Sequence, residues 1–168
     1  MRHTIAVLVE NHAGVLSKVS GLFSRRGFNI ESLAVGTTED PAISRITIVV
    51  NGDDYTVEQV EKQLNKVIPV IKVKTLAEGE YISREVILIK VGCTARQRDE
   101  IMRVAELMSA RIEDVSTASL TIQLTDTSER NDTLLSLLRP YGVREVVRTG
   151  TVAIEKGAGV TKSAKKNV

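Results

Sequence analysis

Tryptophan is absent from this chain of 168 residues, and two phenylalanines and three tyrosines are its only aromatics. A surface that stacks nucleobases on aromatic rings has little to draw on. Cysteine occurs once, at Cys93, so no internal disulfide can form and a reducing cytosol is the natural setting. No apolar run approaches the roughly 20 residues that span a bilayer, so no membrane segment is expected. Met1-Arg2-His3-Thr4 leads straight into strand-like sequence without a cleavable signal pattern, which also points to the cytoplasm. Histidine is scarce as well. Neither His3 nor His12 stands in a Ser/His/Asp or Cys/His arrangement. Cys93 has no paired ligand spacing and reads as a buried or idle thiol, so no metal site is expected. Asp53-Asp54 and Asp99-Glu100 read as acidic helix starts, and no phosphate loop occurs. Catalysis has no constellation to rest on.

The charge that is present is unevenly placed. Lys156, Lys162, Lys165 and Lys166 lie in a final segment, 156–168, that contains no acid. Without them, 19 basic residues stand against 21 acidic ones, so residues 1–155 are slightly acidic. The basic balance belongs to a tail that reads as a flexible, solvated end. Nucleic acid is not an expected partner.

The hydrophobic pattern holds a repeat. His3 to Glu10 alternates as a strand apolar on both faces, and Val15, Leu16, Val19, Leu22 and Phe23 follow at helical spacing up to Gly27. Asn29 to Thr38 and Ile43 to Val50 read as a hairpin, with a phase shift between Ile30 and Leu33 that suggests a bulge. Val57, Val60, Leu64 and Val67 mark a second helix, and Val70 to Leu76 a fourth strand. The same order recurs after Glu78-Gly79-Glu80. Val86 to Val91 is a strand, Ile101 to Met108 a helix, and Ile112 to Val115 and Leu120 to Leu124 are strands. Leu134 to Leu138 is a helix, and Val143 to Ile154 holds the last strand. The expectation is an α+β chain of tandem βαββαβ, ferredoxin-like units, each an antiparallel sheet with its helices on one face. The domains would span 1–78 and 79–155, with 156–168 as the tail.

RNA-recognition modules share this order, but they stack bases on aromatics of the central strands, and here those strands carry none. In the first unit the strands are apolar on both faces, Ile5, Val7 and Val9 against Ala6 and Leu8, and Ile46, Ile48 and Val50 against Thr47 and Val49. The face away from the helices is therefore apolar whichever set it carries. Such a face calls for another protein surface, most economically an identical copy.

One loop carries a mechanism. Glu10-Asn11-His12-Ala13-Gly14-Val15-Leu16 joins a strand end to a helix start, where unpaired N–H groups favour a small carboxylate. Gly14 leaves room for close approach, and Asn11 has both donors and an acceptor. On the loop alone, a helix-capping turn is the simpler reading. Asn29 stands where the helix returns into the second strand. If two copies pair, one chain's first loop could face the other's Asn29. A site with an asparagine at each end and Val, Leu and Ile walls would suit a small apolar amino acid.

Leu8-Val9-Glu10-Asn11-His12-Ala13-Gly14-Val15-Leu16 and Gly21-Leu22-Phe23-Ser24-Arg25-Arg26-Gly27-Phe28-Asn29-Ile30-Glu31-Ser32-Leu33 closely resemble the regulatory small subunit of acetohydroxyacid synthase (acetolactate synthase). Ser44-Arg45-Ile46-Thr47-Ile48 and Ile82-Ser83-Arg84-Glu85-Val86 continue the match, which covers about residues 1–155 and is densest in the first 50. The resemblance implies an N-terminal ACT domain, an amino-acid-sensing βαββαβ module, followed by a second ferredoxin-like domain. It implies a homodimeric, non-catalytic subunit that binds the catalytic large subunit, raises its activity and confers feedback inhibition by valine or another branched-chain amino acid. Thiamine diphosphate, Mg and FAD would belong to that catalytic partner alone. By the same resemblance the effector would meet Asn11 and Gly14 of one chain and Asn29 of the other, with Val15, Leu16 and Ile30 around them. The competing expectation is a stand-alone ACT regulator of another enzyme or of a transcription complex.

Overall fold

A computed structural model describes residues 1–162 and places them in two compact units. The first comprises Met1–Ile82 together with 151–162, and the second comprises Ser83–Gly150.

In the first unit, β1 (Arg2–Glu10), α1 (Val15–Arg26), β2 (Ile30–Thr37), β3 (Ile43–Asn51), α2 (Asp54–Asn65) and β4 (Val70–Leu76) follow the expected order. The antiparallel sheet runs β2-β3-β1-β4. Residues of odd number on β1 and even number on β3 share a face, where Ile5, Val7, Val9, Ile46, Ile48 and Val50 pack with Val19, Phe23, Val60 and Leu64 of the helices. Phe23 and Phe28 meet edge to face, with ring centroids 5.9 Å apart. Gly27 closes α1 in the left-handed conformation after Arg25 and Arg26 in its last turn. Asp53 caps α2 by accepting from Thr56 N–H at 2.8 Å, and Lys62 reaches Glu58 at 2.7 Å. The register of β2 against β3 shifts between Ile30 and Ser32, the bulge expected from the phase change.

The second unit holds most of β5 (Tyr81–Gly92), then α3 (Ala95–Leu107), β6 (Arg111–Val115), β7 (Ser119–Asp126), α4 (Ser128–Leu138) and β8 (Val143–Arg148). Its antiparallel sheet runs β6-β7-β5-β8, and a 3-10 turn at Arg139–Tyr141 precedes Gly142. Ile87, Ile89, Val91, Leu120, Ile122 and Leu124 pack with Ile101, Ala105, Leu134 and Leu138 of the helices. Cys93 lies in this core as a free, buried thiol. Thr94 and Gln97 form a reciprocal capping box at the start of α3, so Asp99-Glu100 lies inside that helix rather than at its beginning. Glu85, buried at the sheet margin, accepts from Arg148 at 2.5 Å, and Arg148 also reaches Asp132 at 2.6 Å.

The end of the chain departs from expectation. The single last strand over 143–154 is two strands, β8 and β9 (Val152–Glu155), separated by Gly150 at φ +83. β9 belongs to the first unit and pairs with the start of β5, where Lys156 N–H donates to Glu80 C=O at 2.9 Å. The second unit therefore ends at Gly150 rather than 155, and the expected linker at 77–83 already contains the first residues of β5.

From 151 onward the chain lies against the sheet face of the first unit that the helices leave open. Ala153 packs with Ala6, Leu76 and Tyr81, while Thr4 and Tyr81 share a hydroxyl hydrogen bond of 3.1 Å. Arg45 donates to Ala153 C=O at 2.8 Å, and Lys74 pairs with Glu155 at 2.6 Å. Contrary to expectation, this face is covered without a second molecule, because the chain's own returning segment lies on it. Part of the tail is held as well. Lys156 Nζ donates to Gly79 C=O, Thr161 is buried beside Glu155, and Lys162 pairs with Glu39. Lys165 and Lys166 fall outside the described residues. No helix among the described residues is long and apolar enough to cross a membrane.

Candidate effector site

The loop between β1 and α1 is shaped by a few hydrogen bonds. Asn11 N–H donates to Ala42 C=O at 2.8 Å, and its side-chain Nδ2 donates to Pro41 C=O at 2.9 Å. Both acceptors sit in the turn before β3, so that turn sets the direction of the Asn11 amide. With Nδ2 engaged, Asn11 presents its Oδ1, an acceptor suited to an ammonium group. His12 lies between Glu10 Oε2 at 2.8 Å from Nε2 and Ala13 C=O at 3.2 Å from Nδ1. Glu10 first, and the Ala13 carbonyl second, raise the His12 pKa above its ordinary value. A ring between two acceptors can donate to both only as imidazolium.

Gly14 occupies the N-cap of α1 at φ +86, and an added Cβ there would meet nothing within 4 Å. No side chain caps this helix, and its first turn holds no acidic residue. By contrast, Asp53, Thr94 and Thr127 cap α2, α3 and α4 with side-chain oxygens. The N–H groups of the first turn of α1 thus open outward beside Gly14, with the partial positive charge of a helix start. Lys18 N–H begins the regular ladder by donating to Gly14 C=O at 3.1 Å.

Val15 is buried in the core at 3% exposure, so its side chain is committed to the fold. Leu16 is exposed at 43% and is the apolar wall next to Gly14. Asn29 is exposed immediately before β2, where its C=O accepts from Asn51 N–H, and Ile30 packs half-buried against the helix-side core. Val35 adds an apolar group that sequence reasoning missed. It pairs with Ile46, lies on the helix side of edge strand β2 and is 47% exposed. Its place in an alternating strand was the available signal.

These residues do not converge within one chain. Asn11 is level with Ala42 at one end of β3, and Asn29 with Asn51 at the other. At the rise of an extended strand the two ends lie about 30 Å apart. Asn11, Gly14 and Leu16 form one half of a candidate site, and Asn29 and Ile30 the other.

Comparison with known proteins bears on both units. Residues 5–72 match the family model for the AHAS small subunit-like ACT domain, and residues 84–157 match that for the small subunit of acetolactate synthase. The chain is 52% identical over 155 residues to the acetolactate synthase small subunit of Mycolicibacterium smegmatis, covering 92% of this chain and 91% of that one. It is 46% identical over 158 residues to the same subunit of Haemophilus influenzae, covering 94% and 97%. The crystal structure of the acetolactate synthase small subunit from Thermotoga maritima superposes with a TM-score of 0.87 at 39% identity, over 94% of this chain and 98% of that one. With an open, uncapped helix start in its first unit and matches running through both, this chain belongs to the acetolactate synthase small subunit family and carries that family's ACT domain.

Proposed function

We propose that this chain binds the catalytic subunit of acetolactate synthase, raises its activity, and makes it subject to feedback inhibition by valine or another branched-chain amino acid. The separation of the two half-sites within one chain is the observation that carries the reading. β2 is an edge strand, and two copies pairing antiparallel through β2 would set Asn29 of one beside the Thr37 end of the other. That end is also where Asn11 and Gly14 stand, because Thr37 pairs with Ser44 and Val9 with Ser44. A two-fold dimer would then hold two equivalent sites. In each, the first-turn N–H groups of α1 would take the effector carboxylate, the Asn11 and Asn29 amides its polar atoms, and Leu16, Ile30 and Val35 its side chain. The synthase chemistry, with thiamine diphosphate, Mg and FAD, falls to the catalytic partner in a cytoplasmic assembly.

Regulation requires that valine favour one arrangement of the dimer and that the catalytic subunit respond to it. Co-purification with that subunit, followed by acetolactate assays with and without valine, tests each part. The expected result is a stable complex, higher activity than the catalytic subunit alone, and loss of the gain on adding valine. Asn29→Ala should weaken valine binding in calorimetry and leave activation intact. Failure to associate, or an activity indifferent to valine, leucine and isoleucine, would refute the reading.

A further inference from the structure

We propose that the returning segment 151–162 is the relay through which effector occupancy reaches the second unit, by way of edge strand β2. The inference rests on the effector site proposed above. Asn29 and Ile30 lead into β2, and just past its register shift Ser32 accepts a hydrogen bond from Thr151 N–H at 2.8 Å. Ser32 pairs with Val49, whose side chain belongs to the face away from the helices, the face on which the returning segment lies. One strand thus carries effector residues at its start and an anchor of the segment shortly after.

The segment is held at three strands of the sensor sheet. Ser32 on β2 holds Thr151, Arg45 on β3 holds the Ala153 carbonyl at 2.8 Å, and Lys74 on β4 holds Glu155 at 2.6 Å. At its other side the covalent chain leads directly into the second unit. There Thr149 is fixed twice to Val86, through N–H to C=O and through Oγ1 accepting from N–H, each at 3.1 Å. Only Gly150, at φ +83, separates the Thr149 anchor from the Thr151 anchor. A shift of Thr151 must therefore be taken up at Gly150 or passed on to Thr149. Among the described residues the buried Thr151 hydroxyl has no partner, an unmet cost that a shifted segment could recover. The relay requires that this segment have two arrangements, whose balance the effector biases.

Three variants test the relay in the reconstituted holoenzyme. Ser32→Ala removes the first anchor, Lys74→Glu turns the third into a repulsion, and Lys74→Glu with Glu155→Lys restores opposite charges. Calorimetry on the free chain should give the two single-anchor variants valine affinities within about twofold of wild type, while inhibition by valine weakens at least about fivefold. Activation in the absence of valine should persist, and the charge-exchanged pair should regain inhibition. Unchanged inhibition in both Ser32→Ala and Lys74→Glu would overturn the relay alone. So would a loss of valine affinity in step with the loss of inhibition, since Ser32 and Lys74 would then act at the binding site. A wild type indifferent to all branched-chain amino acids would overturn the site and the relay together.

Discussion

At Gly14, backbone geometry and ligand chemistry make the same demand. Its φ of +86 lies in the left-handed region, and the space above it is open. An alanine there tests only the backbone, at a cost of about 1 kcal/mol. An aspartate adds a carboxylate where the effector's own would lie. Gly14→Asp is therefore expected to abolish valine inhibition while activation persists, and Gly14→Ala to weaken inhibition only in part. Normal valine binding by Gly14→Asp in calorimetry would rule out this assignment. His12 supplies a pH dependence. Its pKa is raised by Glu10, so the bond that orders the loop is fully present below the ordinary value of about 6.5 and fades as pH rises through the raised one. An NMR titration should show a His12 midpoint above that of an unfolded peptide, moving down in Glu10→Gln. For Gly14 the loop sequence foretold what the structure has, a glycine at the start of α1 with no side-chain cap. Two details of the site were not legible. Asn11 takes its direction from Pro41, thirty residues away, and Val15 could be told from a ligand wall only by its burial.

Most elements were legible because their hydrophobic periods of two and 3.6 are strong and local caps agree with them. Gly27 closes α1, and Asp53 caps the start of α2. The errors fall where a long-range partner decides. The start of β5 reads as a linker, since Glu78-Gly79-Glu80 is turn-like and only pairing with β9 makes the following residues a strand. The break between β8 and β9 was hidden for the same reason, because Val143 to Ile154 is rich in β-forming residues and Gly150 alone marks the division. Asp99-Glu100 mimicked a helix start, but Thr94 with Gln97 satisfies the orphan N–H groups one turn earlier.

For the molecule as a whole, the tandem βαββαβ plan was visible in the pattern, whereas the return of the chain to its first unit was not. Hydrophobicity showed that the outer sheet face had to be covered, without showing by what. A chain ended after Gly150 would lose the Thr151 and Ala153 hydrogen bonds and the Lys74–Glu155 pair. With the β9–β5 pairing lost as well, and roughly 1 kcal/mol for each hydrogen bond, it should be at least about 2 kcal/mol less stable in urea unfolding. It should also self-associate in sedimentation experiments, because Ala6 and Leu76 would be uncovered. A monodisperse species with the stability of the full chain would show that the segment does not protect this face.

The cluster beneath the returning segment has an optical consequence. Tyrosine emission is usually masked by tryptophan, and this chain has no tryptophan. Tyr55 is solvent-exposed and Tyr141 shares its hydroxyl with Glu100, whereas Tyr81 bonds to Thr4 and packs against Ala153. The fluorescence of Tyr81 is therefore a native, label-free gauge of whether the segment is seated, readable in the unmodified chain as an effector is added.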